Sequence, residues 1–535
     1  MPSTENKRTF IDSAALLALI FLVLLILHST LLRLPYFWDE AGYYVPAAHD
    51  LFLTGSPIPK TTISNAHPPL VMAYLAVWWK IFGFSQLVTR AAMLMMSSFA
   101  LLGLFRLAQR VANTQVAIAS VLCTAIYPVF FAQSSLAHLD LAAAGFTFWG
   151  LKTYAEKRRV LTALWFSLAV LTKETALLAP IGLAGWELIH SFCGDSDYPI
   201  SPEGSKENRD ARGRPRLHTI GFLVIPVIPL AFWYGYHYLK TGFTFGNPEF
   251  LRYNVQATMQ PLRIVLALLM RLWQAFGYMN LVLLTGAGIL AMWKPPLRDQ
   301  QTERPRIALE VQFAFLAVIA TYIIAMAVIG GAVLARYMLP AVPLVIVVFV
   351  STLWRRIAQW RWVIAIVVLG FVAGLFINPP YTFALEDNLA YRDFVQLHQD
   401  AEHFLESRYP RSNVLTAWPA SDELTRPFLG YITRPVRILR IEDFRVEQLM
   451  SAADARQGYD AAFVFSTKYE PPNPLLKEWP AWDSIKTRFF DYHHDVPPAV
   501  AAQILGGEIV FSETRKGQWV AVIEMRQIIE ARNTD

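Results

Sequence analysis

Residues 308–330 read ALEVQFAFLAVIATYIIAMAVIG, with Glu310 as the one charged side chain in the run. A bilayer core needs about 20 consecutive apolar residues in helical form, so this stretch predicts a membrane span. Runs of the same kind recur on both sides of it. Downstream they fall at 338–354 and 362–378, and upstream at 218–237 and 275–293. Earlier still are 11–33, 86–105, 113–132 and 139–154, and a pair, 160–172 and 175–192, that flanks Lys173 and Glu174. Together they predict about eleven transmembrane helices. A shorter apolar segment at 68–83 is broken by Trp78, Trp79 and Lys80, the pattern of a helix lying in the interface.

Composition agrees. The 535-residue chain is 55% hydrophobic and 16% charged, where a soluble chain carries about 25% charged residues. Its net charge of +6 comes from clusters between apolar runs: Lys157, Arg158 and Arg159; Lys206 to Arg216; Lys294 to Arg306; Arg355, Arg356 and Arg361. That distribution reads as membrane topology and membrane-lipid contact, with no nucleic-acid partner. Placing the N-terminus in the cytoplasm puts these clusters on one side and leaves Arg33, Lys60, Lys173, Lys240, Arg252 and Arg336 scattered on the other. The first run is too long for a signal peptide and has no cleavage pattern after it. Cys123 and Cys193 are far apart and suit neither a disulfide framework nor a metal spacing.

Residues 379–535 change character. Apolar runs shrink to strand length at 414–418, 436–441, 461–466, 509–512 and 520–525, alternating with helical patterns such as 388–409. A small α/β domain is expected here, extracytoplasmic if eleven spans precede it. The division is 1–378 as a transmembrane domain, with a first external loop at 34–85, and 379–535 as the outer domain. The outer domain has no phosphate loop, so a cap or docking role is its default.

Four constellations could carry chemistry. Asp39 and Glu40 follow the first span inside an aromatic belt, Tyr36 to Tyr44. Charge near the bilayer is expensive, and a carboxylate in a partly apolar pocket can serve as a general base; a plain helix start is the alternative. His67 precedes Pro68, Pro69 and Leu70, where a rigid helix start could receive a phosphate. His138 and Asp140 sit at the mouth between two spans and suit a divalent metal ion, sugar hydroxyls or a capping pair. Arg90, Lys173 and Arg336 end apolar segments, where cations bind a lipid phosphate or snorkel to headgroups. Asp195, Ser196 and Asp197 form an acidic D-x-D in a polar cytoplasmic loop, which reads as a solvated loop.

Taken in order, Asp39-Glu40, His67-Pro68-Pro69-Leu70, Arg90, Leu171-Thr172-Lys173 and Arg336-Tyr337-Met338-Leu339-Pro340 resemble the GT-C membrane glycosyltransferases of the protein O-mannosyltransferase type, glycosyltransferase family 39. The bacterial aminoarabinose-transferase-like and lipopolysaccharide core glycosyltransferase-like members look nearest, over about residues 10–345. The resemblance implies a polytopic α-helical fold in a bacterial cytoplasmic membrane. It also implies inverting transfer of a sugar from a polyprenyl-phosphate donor to an extracytoplasmic glycolipid, polysaccharide or protein. Asp39 would be the general base and Glu40 its positioning partner. His67, Arg90, Lys173 and Arg336 would hold the donor phosphate, and Asp140 would face the donor or a metal. Ala66 and His67 depart from the acidic residue and lysine that aminoarabinose transferases carry before Pro-Pro, and the β-trefoil modules of eukaryotic mannosyltransferases are not apparent. Two rivals differ in class: a transporter or flippase of lipid-linked sugars, and a membrane anchor for the outer domain.

Overall fold

The computed structural model describes residues 4–193, 217–246, 258–329, 331–471 and 480–526. The D-x-D at 195–197, the basic residues from Lys206 to Arg216, and Arg252 lie outside them. The chain divides into two units, one of residues 1–32 and 47–375 and the other of residues 33–46 and 376–535.

The first unit is helical. In chain order it holds α1 (Thr4–Leu27), α2 (Val45–Thr54), α3 (Leu70–Phe82), α4 (Gln86–Val111), α5 (Thr114–Ile126), α6 (Pro128–Gln133), α7 (Leu139–Ala155), α8 (Arg159–Thr172) and α9 (Leu178–Cys193). Then come α10 (Leu217–Thr241), α11 (Pro261–Phe276), α12 (Leu281–Met292), α13 (Leu309–Ile329), α14 (Val342–Arg356) and α15 (Trp360–Phe376).

Among the described residues, four helices are long and apolar enough to cross a membrane: α4, α10, the α11–α12 pair and α13. Five apolar helices are shorter, including α3, α5, α8 and α15. Apolarity and length thus support several crossings without fixing the count at eleven. The shortfall has local causes. The span expected at 113–132 is cut at Tyr127, whose extended ψ precedes Pro128 at the first position of α6. The span expected at 275–293 is the second half of a longer rod, because α11 runs into α12 through a kink at Met279 and Asn280, both at positive φ.

Burial separates inner from outer helices. Within the best apolar window of α4, 72% of residues are buried, against 22% in α10, so α4 is central and α10 faces the surroundings. The α4–α7 contact is close because α7 carries Ala142, Ala143, Ala144 and Gly145, small residues that let backbones approach. A Cβ on Gly145 would stand 2.9 Å from the Ala100 Cβ and 3.2 Å from its Cα.

The second unit is a small α/β fold. Its helices are α16 (Ala390–Arg408), α17 (Ala420–Glu423), α18 (Val446–Asp454), α19 (Pro480–Phe490) and α20 (Pro498–Leu505). Its strands are β1 (Asn413–Thr416), β2 (Arg437–Arg440), β3 (Ala461–Phe465), β4 (Gly507–Arg515) and β5 (Gln518–Met525), in the order β2-β1-β3-β5-β4. The first two pairings are parallel and the last two antiparallel. Every strand expected from the sequence is present. β3 is buried along its whole length, as a central strand with both faces covered must be. The segment 33–46 clusters here rather than with the helices: Tyr36 N–H donates to the Leu429 carbonyl (3.2 Å), and the Tyr431 hydroxyl donates to the Tyr36 carbonyl (3.1 Å).

Replacing Gly145 by Leu should disrupt the α4–α7 seam at a cost of about 1–3 kcal/mol or more. Gly185, where an added Cβ would meet nothing within 4 Å, should accept Ala with little change. Thermal unfolding of the two variants in detergent checks the contrast.

Candidate active site

In the first unit, helix ends bring charged side chains together. α7 has His138 as its N-cap and places Asp140 in its first turn, where the helix dipole favours a carboxylate. α8 ends at Lys173, whose extended backbone turns the chain into a short 3-10 turn at Glu174. Arg336 lies on another 3-10 turn, Ala335–Met338, just before α14. The side chains of Asp140, Lys173 and Arg336 are buried, and they meet. Lys173 Nζ donates to Asp140 Oδ1 at 2.6 Å, and Arg336 Nε stands 3.4 Å from Asp140 Oδ2. Arg336 Nη1 is 3.0 Å from His138 Nδ1, which is 2.8 Å from Gln133 Oε1. The turn that carries His138 is gripped by Arg90, which donates to the Ser135 carbonyl at 2.9 Å.

His67 joins from another direction. Its Nδ1 is 2.9 Å from Glu174 Oε2, so His67 is tied to the residue that follows Lys173. Pro69 is the N-cap of α3 and the helix starts at Leu70, so the two prolines stiffen the approach to the helix just before its first turn. Ala66 sits at φ 60°, a region that costs a residue with a Cβ energy. Its carbonyl is held there by Trp233 Nε1 at 2.8 Å.

Two members of this group have no role assigned from the sequence, although Tyr337 stands in the motif that begins at Arg336. Arg271 is fully buried on α11; Nη1 donates to the Leu334 carbonyl and to Gln274 Oε1, both at 2.7 Å. Gln274 in turn donates to the Val333 carbonyl at 2.8 Å, and Arg263 Nη2 to the Gly331 carbonyl at 2.6 Å. One face of α11 thereby holds the strip of chain that leads into Arg336. The trace of it was Arg263, Ala267 and Arg271 at four-residue spacing, a stripe no lipid-facing helix would keep. The second is Tyr337, whose ring lies 4.1 Å from Lys173 Nζ and 5.5 Å from the Arg271 guanidinium carbon, a cation–π arrangement.

Asp39 and Glu40 belong to the other unit. Trp38 holds φ at 46°, so a strained residue precedes Asp39 just as one precedes His67. Glu40 is buried and accepts the Phe37 N–H at 2.9 Å, which locks the turn that presents the half-exposed Asp39. Trp38 packs edge-on against Trp418 at 5.0 Å, and a Cβ on Gly42 would stand 2.7 Å from Trp418 Nε1. That approach leaves room only for glycine there.

Arg90, Lys173, Arg271 and Arg336 gather with Asp140 and Glu174 in this largely buried group. Such a site is suited to an anion. Asp140 is the counter-charge of Lys173 and Arg336, and a metal ion beside it would face both cations. Among the described residues, the metal-ligating side chains that converge as a group of three are His398, Glu402 and Glu423 of the second unit.

The family model described as dolichyl-phosphate-mannose-protein mannosyltransferase matches residues 66–194. The matched segment carries His67, Arg90, His138, Asp140, Lys173 and Glu174, and it leaves Asp39, Glu40 and Arg336 outside. The fold as a whole is similar to ArnT from Cupriavidus metallidurans bound to undecaprenyl phosphate, with a TM-score of 0.51 at 13% identity over 96% of this chain and 97% of that one. The same protein in the apo state aligns with a TM-score of 0.50 at 13% identity, over 97% and 98%. No curated protein matches the sequence. The mannosyltransferase-type segment and the ArnT-like fold agree with the GT-C architecture expected from the motif order.

Removing Asp140 alone should leave Lys173 and Arg336 buried without their carboxylate, at about 3–5 kcal/mol. Asp140→Asn combined with Lys173→Met should recover much of that loss. A double-mutant cycle on thermal stability measures the coupling; additive losses would contradict it.

Proposed function

We propose that this protein is an inverting glycosyltransferase of a bacterial cytoplasmic membrane. It transfers a sugar from a polyprenyl-phosphate donor to an extracytoplasmic acceptor, a glycolipid, a polysaccharide or a protein. The observation that carries this reading is the buried group of Arg90, Lys173, Arg271 and Arg336 gathered near Asp140, within and beside a segment of mannosyltransferase type.

In this reading the acceptor hydroxyl attacks the anomeric carbon from the face opposite the phosphate. The new C–O bond forms as the sugar–phosphate bond breaks, and its electron pair leaves on the phosphate. Lys173 and Arg336 stabilise that leaving charge, which grows in the transition state, in a site drier than water where charge-assisted hydrogen bonds are strong. Asp140 holds the two cations in place. His67 and Arg90 complete the phosphate's surroundings, and Arg271 acts through the strip 331–334 as a positioning residue. Asp39 accepts the proton of the acceptor, and Glu40 fixes the turn that carries it.

A transporter of lipid-linked sugars is the second reading, and the buried charges themselves favour it, since such residues also mark substrate pathways. The two readings part on covalent chemistry. Purified protein offered radiolabelled polyprenyl-phosphate sugars should transfer or hydrolyse at least one of them. Asp39→Asn should lose at least about a hundredfold in rate, the low end for a general base, while remaining monodisperse. Transport without any sugar release would move the assignment to the transporter, and an active Asp39→Asn variant would remove Asp39 from the mechanism.

A further inference from the structure

A second buried polar group lies in the α/β unit, made of residues that have no role in the transfer reading. His398 and Glu402 stand four residues apart on the inner face of α16, and Glu423 closes α17 opposite them. All three side chains are fully buried. His398 Nδ1 is 2.6 Å from Glu423 Oε2 and 3.9 Å from Glu402 Oε1. The rest of the wall is aromatic: Phe394 stacks on the imidazole at 3.9 Å, with Phe465 at 4.5 Å and Phe463 at 5.2 Å.

The group is unbalanced as it stands. Neither oxygen of Glu402 has a hydrogen-bond partner among the described residues, and neither do Glu423 Oε1 or His398 Nε2. No Lys or Arg among the described residues forms an ion pair with either carboxylate. Buried polar atoms are nearly always satisfied, and a buried carboxylate keeps its charge only with a partner.

We propose that His398, Glu402 and Glu423 form a structural binding site for a divalent transition-metal ion, Zn²⁺ being the best fit. Each offers one ligand atom, and these atoms lie within 4.8 Å of one another. Ligands about 2.0–2.2 Å from a tetrahedral Zn²⁺ stand about 3.3 Å apart, inside the range seen here. One imidazole and two carboxylates are a borderline-hard N/O donor set, and two carboxylates balance the charge of one dication. The ion would clip α16 to α17. The chain just before α17 carries Trp418, against which Trp38 and Gly42 pack, so the clip would stiffen the support of the turn that presents Asp39.

The test uses full-length protein with a tag that binds no metal, purified without chelator. Elemental analysis should find about one equivalent of metal per chain, mainly zinc. Stripping with a chelator should lower the Tm by several degrees, and Zn²⁺ alone should restore it. Glu402→Gln and Glu423→Gln should each lose most of the metal and the Zn²⁺ response. Two results overturn the site: wild-type protein that takes up no Zn²⁺ and shows no Tm change on stripping, or variants that keep the full equivalent. The strip-and-restore measurement on wild type decides the matter even if the variants do not fold. It is independent of sugar transfer, so an inactive enzyme with intact metal binding would leave this site standing.

Discussion

Asp140 sits between Lys173 and Arg336 inside a bundle of apolar helices, and much of the first unit is arranged around that fact. Bringing three charges out of water costs far more than a surface ion pair returns. The cost is tolerable only if each group is held at hydrogen-bonding range and the shell around it is rigid. The structure supplies that shell from several directions. α7 gives its N-terminus to Asp140, Tyr337 lays its ring against Lys173, and α11 grips the chain that delivers Arg336.

Rigid support also explains two of the backbone outliers, one in each unit. Ala66 and Trp38 both hold positive φ, and each directly precedes a residue assigned chemistry, His67 and Asp39. Strain of this kind persists only where surrounding contacts over-determine it. For Ala66 the holding contact is the Trp233 hydrogen bond; for Trp38 it is packing against Trp418 and Phe394. The glycosyltransferase reading draws on this economy: rigid, strained turns present the reacting groups, and packed aromatics hold the turns.

Much of this was legible in the sequence because the signals were periodic or local. The run at 308–330 and its neighbours gave the helical bundle through length and apolarity, and the short β-branched runs after 379 gave all five strands. His67, Arg90, Asp140, Lys173 and Arg336 were visible as polar residues at the ends of apolar segments. What escaped depended on pairing across distance. The partnership of His67 with Glu174 spans 107 residues, and that of Arg336 with His138 spans 198. Arg271 was hidden because α11 mixes arginines into an otherwise apolar helix, so its stripe reads as surface until the chain at 331–334 is seen against it. The placement of 33–46 was likewise invisible: these residues follow the first helix in sequence and pack with strands and helices nearly four hundred residues later, as the Tyr36–Tyr431 bond shows. The His398, Glu402 and Glu423 group needed the fold to bring α17 onto α16.

The central claim is that the buried cations receive a lipid-linked phosphate. It is tested most directly by titrating detergent-solubilised wild-type protein with a polyprenyl phosphate and, in parallel, with the corresponding polyprenol, following binding by calorimetry. The account predicts saturable binding of the phosphate at least about tenfold tighter than the alcohol, a difference of about 1.4 kcal/mol or more, and a loss of that preference in Lys173→Met. Equal affinity for the two lipids would mean that the chain alone is recognised, and would contradict it.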